Sequence, residues 1–260
     1  MKYLYFTICL FILAVTQAQT TQDSLYVWKA GVLVNKQSIK PGDMDSITFK
    51  RPVVNLPHVT ICSQVWATRN LDVTNYSDGT PIPQVQDPTA WANLTTGAWC
   101  YSTYYNNVPV DNAVYGKLYN WYAAAGIYDA ASLVDPTLRK NLAPTGWHVP
   151  TDAEWTTLTT CLGGESFAGG AMKETGTEHW DSPNIGATNS SGFTGLPGGS
   201  RGANSSGLAS NFIRLGGNWW SSSEYSATYA WNRYLYYSYN SALRYYFNKT
   251  YGFSVRCIRD

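Results

Sequence analysis

The sequence predicts an α+β domain rich in loops, and three observations carry that prediction. Thr151-Asp152-Ala153-Glu154 has the form of a capping box, Trp155, Leu158 and Leu162 continue it as an apolar stripe, and Gly163-Gly164 closes it. Both ends of one helix are thereby marked. After Asn218-Trp219-Trp220 the apolar period switches to two, as strands require. The chain has 260 residues, of which 13% are charged and 15% aromatic. That length can bury a large core, and that balance excludes coiled coils and basic nucleic-acid proteins. A surface so poor in Lys and Glu has to be covered by Ser, Thr, Asn, Gly and Tyr, a palette of extracellular β-rich modules.

Residues 1–18 open with Lys2, run apolar from Tyr3 to Val15 and end Thr16-Gln17-Ala18. This is the form of a secretory signal peptide cleaved after Ala18. The run is too short to span a bilayer, and no stop-transfer charges follow it. Without Lys2 the mature chain carries 17 basic side chains, equal to its 17 acidic ones, so no net charge draws it to an acidic or basic partner. Residues 19–52 form an N-terminal segment. Leu25 to Val34 reads as a hairpin about Ala30-Gly31, and Ser46-Ile47-Thr48-Phe49 as a further short strand. Some 30 residues cannot build a core, so this piece is an appendage or spacer.

The main domain is expected over residues 53–260. Val59-Thr60-Ile61 and Val65-Trp66-Ala67 read as strands, and Tyr115, Leu118, Tyr119 and Tyr122 recur at helical spacing before a stop at Gly126. With the helix after Thr151, two helices are expected. The Gly-, Ser- and Asn-rich stretch from Gly192 to Gly217 should be loop with short extended pieces. Residues 229–237 and 243–249 read as a hairpin bent around Asn240-Ser241. The last strand places Phe253, Val255 and Cys257 on one face.

Four cysteines remain after signal cleavage: Cys62, Cys100, Cys161 and Cys257. An even count in an exported chain without a CxxC spacing favours two disulfides over zinc or redox chemistry. Three pairings are possible. The positions of Cys62 and Cys100 in the first half, and of Cys161 and Cys257 in the second, favour 62 with 100 and 161 with 257.

Several motifs stand in a recognisable order: Val59-Thr60-Ile61 with Val65 to Leu71, Tyr115-Gly116-Lys117-Leu118-Tyr119-Asn120-Trp121, Gly146-Trp147-His148-Val149-Pro150-Thr151-Asp152-Ala153-Glu154-Trp155, Gly216-Gly217-Asn218-Trp219-Trp220-Ser221, and Gly252-Phe253-Ser254-Val255-Arg256. Together they resemble the Fibrobacter succinogenes major paralogous domain family over roughly residues 54–260. The block Trp147 to Trp155 and the two terminal signals are also similar to formylglycine-generating enzyme domains and to the variable proteins of diversity-generating retroelements. The resemblance implies a C-type-lectin-like fold with short twisted antiparallel sheets. Many relatives place a cysteine before the Pro-x-Gly-Trp-His segment, where this chain has Ala143-Pro144-Thr145; family pairing therefore does not carry over directly.

No catalytic constellation is found. The only cysteine in the region that matches the enzyme relatives is Cys257, expected inert on an apolar strand face. Gly198-Gly199-Ser200-Arg201-Gly202 has the GxSxG form, but no histidine follows His179 to take a serine proton. His58, His148 and His179 are not spaced as metal ligands, and Ser182-Pro183-Asn184 lacks the preceding acid that a lectin calcium loop would want. No cofactor is expected. Nine of the twenty tyrosines lie between Tyr225 and Tyr251, interleaved with Asn and cations, and from Pro183 onward seven basic residues face only Glu224 and Asp260. Tyrosine offers broad, stiff contact area, and Asn and Arg add adaptable hydrogen bonds. The expected ligand-binding residues are Tyr225, Tyr229, Asn232, Tyr234, Tyr236, Tyr239, Asn240, Arg244 and Tyr246, with Asn232, Tyr234 and Tyr236 assigned to the solvent face. The expected function is ligand binding or adhesion at the cell exterior, toward a glycan or surface protein and not nucleic acid. The rival is a structural surface or matrix component without a discrete ligand.

Overall fold

The computed structural model describes residues 23–29, 32–39, 54–102, 104–105, 108–202 and 211–260. It divides into two units, Met1–Arg51 and Pro52–Asp260. In the first, β1 (Asp23–Lys29) pairs antiparallel with β2 (Val32–Ile39), with a register shift between Val27 and Trp28. The bend at Ala30-Gly31, the strand expected at Ser46–Phe49 and the expected signal peptide lie outside the described residues.

The second unit begins with β3 (His58–Ile61) and β4 (Gln64–Ala67), then α1 (Pro88–Ala92), β5 (Trp99–Cys100), β6 (Tyr104–Tyr105), β7 (Val108–Pro109), α2 (Asn112–Tyr115), β8 (Leu118–Asn120), α3 (Trp121–Ala124) and α4 (Ala130–Val134). It continues through β9 (Trp147–His148), α5 (Asp152–Cys161), α6 (Glu165–Met172), β10 (Gly198–Ser200), β11 (Asn211–Ile213), β12 (Gly216–Glu224), β13 (Tyr229–Tyr236), β14 (Ala242–Asn248), β15 (Gly252–Phe253) and β16 (Ile258–Arg259). Three larger sheets result, with strand orders β11-β10-β12-β13-β14, β15-β8-β5 and β3-β4-β16-β9. Only the β10–β12 pairing among them is parallel. Short helices beside mainly antiparallel sheets make this an α+β unit.

The helix after Thr151 forms as its sequence dictates. The Thr151 hydroxyl accepts from the Glu154 N–H, the Glu154 carboxylate accepts from the Thr151 N–H at 2.7 Å, and Trp155 and Leu158 are buried. The other expected helix does not form as one element. Gly116, at φ +74°, ends α2, and Leu118–Asn120 is a strand between β15 and β5. Asn120 then caps α3 with a side-chain oxygen that accepts from both Ala98 N and Ala123 N at 3.0 Å. Tyr115, Leu118 and Tyr119 are buried and Tyr122 partly so, but they stand on three successive short elements rather than one helical face. Helix α6 follows α5 directly and contains Gly169 and Gly170. They are there for close approach: a Cβ on either would collide with the backbone or side chain of Asn240 and Ser241.

Two main cores form. One gathers Trp99, Tyr119, Trp121, Trp147, Trp220, Phe253, Val255 and Cys257. The other gathers Trp66, Trp155, Leu158, Phe193, Trp219 and Leu235. Among the described residues nine tryptophans are buried, and each of these donates its indole N–H to an acceptor, for example Trp220 to Tyr119 O and Trp121 to Ser221 O, both at 2.9 Å. The indoles thus fill volume and tie loops together, which a purely apolar side chain could not do.

Arg256, with no exposed surface, joins the two cores. Its five N–H bonds all find oxygen: Nη1 donates to Ala67 O and Phe193 O, Nη2 to Thr194 O and Asn70 Oδ1, and Nε to Asn70 Oδ1. Burial lowers its pKa, but a guanidinium fully satisfied in this way keeps its charge. Asn70 Oδ1 also accepts from Trp219 Nε1 at 2.8 Å, while its amide donates to Tyr115 O and Ser254 Oγ. Thr194 sits at φ +52°, a conformation unusual for a β-branched residue. Asn189 holds it there through the Thr194 N–H and hydroxyl.

The cysteine pairing differs from the expected one. Cys62 is bridged to Cys161, and Cys100 and Cys257 are free, buried thiols. The β3–β4 turn, where Cys62 takes φ +52°, lies beside the end of α5 and brings the two Cα atoms to 6.7 Å. Cys257 faces inward as expected, but into apolar packing, and burial pushes its thiol up to about 12. Cys100 lies in a separate small cluster with Trp91 and Leu118, and burial pushes it up to about 11. With its ends separated by 99 positions in sequence, this bridge stabilises by about 4–5 kcal/mol in the chain-entropy model.

Two outcomes are expected. In the native protein only Cys62 and Cys161 should alkylate after mild reduction, with Cys100 and Cys257 labelled only on unfolding; mass spectrometry of the peptides reads this. Arg256→Met should lower stability by about 3 kcal/mol or more, because several buried oxygens lose their donor. Arg256→Lys should not restore it, since an ammonium has three donors on a single atom. Urea unfolding of the variants measures both.

Candidate functional site

The β13–β14 hairpin is built as the period-two pattern requires, with Trp231 opposite Tyr246, Arg233 opposite Arg244 and Leu235 opposite Ala242. Residues of odd number in β13 share one face, and Asn232, Tyr234 and Tyr236 share the other. Neither face is simply the solvent face. Leu235 and Ala242 belong to the core under α5 and α6, whereas Ala230 on the opposite face belongs to the other core. The two cores therefore grip the hairpin on opposite faces at opposite ends. What remains exposed is two separate tyrosine patches.

The first patch comprises Tyr225, Tyr229, Trp231, Arg244 and Tyr246. Tyr225 and Tyr246 stack with centroids 4.1 Å apart and planes 8° apart, and Tyr229 meets Tyr246 edge to face at 5.7 Å. Trp231 underlies them, 4.8 Å from Tyr225, and the Arg244 guanidinium lies 3.3 Å over the Trp231 ring. Tyr225, Tyr229 and Tyr246 are exposed. The second patch holds Tyr234, Tyr236, Tyr239 and Tyr245, with successive ring contacts at 5.4–6.5 Å.

Asp152, the first residue of α5, fixes the first patch from below. Its carboxylate accepts from Arg233 Nη1 at 2.7 Å and from Arg244 Nη2 and Nε at 2.7 and 2.9 Å. Two arginines directly opposite on neighbouring strands would repel; the shared carboxylate at a helix N-terminus offsets this. Arg233 also donates to Thr156 Oγ1 at 2.8 Å and is buried. The Arg244 backbone N–H donates to Glu165 at 2.9 Å, which covers part of the sheet edge. Arg244 Nη1 finds no acceptor among the described residues and is the patch's available charged donor.

Two expected ligand residues are structural. Asn232 is fully buried and donates to Asn218 Oδ1 at 3.1 Å, so it does not face solvent. Asn240 packs its side chain against Gly170 and Gly186, where it leaves no room for a Cβ. The local basicity of the last third is also largely internal. Arg201, Arg233, Lys249 and Arg256 are buried, with Arg201 over Trp91, Lys249 over Trp121 and Arg256 over Phe193. Sequence reasoning missed Trp231, Tyr245 and Asp152. The stacking of Tyr225 on Tyr246 had no signal in sequence spacing.

The remaining candidates are dispersed. His148 lies between Glu154 at 2.9 Å and Asp260 at 2.7 Å; partial burial opposes its charge, but these carboxylates raise its pKa overall. His179 pairs with Glu174 at 2.8 Å, and His58 meets Leu56 O. Among the described residues no three His, Cys, Asp or Glu side chains cluster as a metal set. Asn184, after Ser182-Pro183, is buried with its amide donating to Glu174 O and Gly176 O. Ser200 is buried within β10. Among the described residues no helix is long and apolar enough to cross a membrane.

Burial alone would raise the Asp152 pKa, but hydrogen bonds from Arg244 and Arg233 lower it overall. Its contribution is thus present above the unfolded carboxyl range and is lost as pH falls through the depressed folded value. Asp152→Asn should cost about 3 kcal/mol or more at neutral pH by leaving Arg233 buried without a counter-charge. The difference from wild type should shrink as pH drops below about 3.9, where the unfolded carboxyl protonates. Thermal unfolding across pH measures this.

Comparison with known proteins gives one match: the model of the Fibrobacter succinogenes major domain covers residues 59–259. No curated protein and no solved structure matches.

Proposed function

The chain belongs to the Fibrobacter succinogenes major domain family, and from that premise we propose that it is an exported, non-catalytic ligand-binding or adhesion protein with a C-type-lectin-like domain. Its ligand, a glycan or a surface protein, is met by the tyrosines of the β13–β14 hairpin. The observation that carries this reading is the first patch: stacked, exposed tyrosines set on Trp231 and Arg244, which Asp152 in turn anchors to α5. Rings held in this way present contact area without further ordering. The surviving ligand residues are Tyr225, Tyr229, Arg244 and Tyr246 on this patch and Tyr234, Tyr236 and Tyr239 on the other. Asn232 and Asn240 serve the scaffold.

Export is supported by the disulfide, since such bonds persist in oxidising compartments. The non-catalytic reading is supported by the Cys257 thiol, which is buried and pushed to about 12, where thiolate is scarce at neutral pH.

A glycan and surface-protein array should return a ligand. Tyr225→Ala and Tyr246→Ala should each lower its affinity by about 1–2 kcal/mol with the melting temperature nearly unchanged. Variants that unfold, or an array that returns nothing, would favour a structural surface component.

A further inference from the structure

The second patch has a different chemistry. Tyr245, Tyr234, Tyr236 and Tyr239 form a row whose centroids succeed one another at 6.5, 5.5 and 5.4 Å. The planes of Tyr234 and Tyr236, and of Tyr236 and Tyr239, are each tilted by 37°, whereas Tyr245 meets Tyr234 edge to face at 63°. Tyr234 has its ring against Gly216, where a Cβ would collide with it. The ends of the row, Tyr245 and Tyr239, are about half exposed at 48% and 52%. Among the described residues none of the four hydroxyls has a hydrogen-bond partner, so the row presents four free donors as well as four ring faces or edges.

Among the described residues, only other tyrosines act electrostatically on the phenols of Tyr234 and Tyr236. The ionisable groups acting on the Tyr234 phenol are Tyr236, Tyr239 and Tyr245, and those acting on Tyr236 are Tyr237 and Tyr239. Lys173, whose ammonium reaches the backbone of this row, is buried and directs its Nζ to the backbone oxygens of Ile185, Tyr236 and Tyr239. Arg233 and Arg244 belong to the opposite face and are engaged by Asp152. An anionic ligand would gain nothing here, and a cationic one would find no carboxylate.

From this juxtaposition of a contiguous row of tyrosine rings, hydroxyls unpartnered among the described residues and neighbouring cations engaged elsewhere, we infer that Tyr234, Tyr236, Tyr239 and Tyr245 form a subsite for an extended neutral glycan. Successive sugar rings lie along the row, and their hydroxyl and ether oxygens accept from the tyrosines. A polyproline helix also offers flat rings and carbonyl acceptors, but its recognition uses aromatic-lined grooves, and the ends of this row stand half exposed. The inference rests on the reading of the hairpin as the ligand surface and narrows it to one ligand class on one of the two patches.

The test is affinity electrophoresis and calorimetry of the full mature chain with three probes: a panel of soluble neutral polysaccharides (hydroxyethyl cellulose, galactomannan and xyloglucan), polygalacturonate and decaproline. At least one neutral polysaccharide should bind, with polygalacturonate and decaproline much weaker. Tyr236→Ala with Tyr239→Ala should weaken binding about tenfold or more, and Tyr239→Phe, which keeps the ring, should weaken it less. Tyr225→Ala with Tyr246→Ala reads the first patch separately, and Phe167→Ala, exposed on α6 and outside both patches, should leave neutral-glycan binding within about twofold. Circular dichroism confirms folding, and if the double Ala variant unfolds, Tyr239→Ala and Tyr245→Ala singly at the exposed ends carry the test. Preference for either other probe, or failure of the whole neutral panel, overturns the inference. So does loss on the Tyr225/Tyr246 variant with the row variants intact, an outcome that leaves the hairpin as the ligand surface. Failure of every ligand at both patches removes both readings.

Discussion

A guanidinium with no exposed surface needs an acceptor for each of its five N–H bonds, and Arg256 finds them on Ala67, Asn70, Phe193 and Thr194. Those residues come from the β4 exit and the loop before β10. Asn70 then takes the Trp219 indole and gives its amide to Tyr115 and Ser254. Five stretches distant in sequence are thus closed on two polar side chains. The alternative, a buried cation or amide left unpaired, costs several kcal/mol, so the arrangement allows little slack. Both cores and the hairpin between them take their relative position from this closure.

The same network explains what the sequence motifs are for. As strings, Arg69-Asn70, Tyr115-Gly116, Gly-Gly-Asn-Trp and Ser-Val-Arg are only an ordered set. In space Asn70, Tyr115, Trp219, Ser254 and Arg256 touch one another, directly or through one partner. The two glycines before Asn218 have separate tasks: Gly216 makes room for the Tyr234 ring, and Gly217 for the Trp219 ring. Local signals that need only neighbouring residues were legible, notably the capping box at Thr151 and the alternation through β13 and β14. What needed distant partners was not. The strand at Leu118–Asn120 depends on β5 and β15, and the cysteine pairing depends on the β3–β4 turn meeting α5.

The candidate surface was half legible for a related reason. Period two correctly separated the hairpin residues into two faces, but assigning one to solvent assumes a single core. Here a core touches each face, at opposite ends, so Asn232 is buried while Tyr234 and Tyr236 beside it are only partly covered. Charge was misleading in the same direction. A sequence poor in ionisable groups places Lys117, Lys173, Arg201, Arg233, Lys249 and Arg256 inside, most of them over aromatic rings. Abundant tryptophan and tyrosine make such burial tolerable through cation–π attraction. The composition that reads as a mild, neutral surface is in part a composition for housing cations.

Gripping a hairpin on opposite faces has a thermodynamic corollary. A strand pair held only along one side can flex about that side, and its side chains retain rotamers that must be surrendered on association. With both ends clamped, and with Tyr225 already lying on Tyr246, much of that freedom is given up when the chain folds. Each immobilised side chain otherwise subtracts about 0.5–1.5 kcal/mol from a complex. A small set of tyrosines on such a frame can therefore hold a ligand with few contacts, and exchanging one ring for another would alter selectivity without asking the scaffold to reorganise.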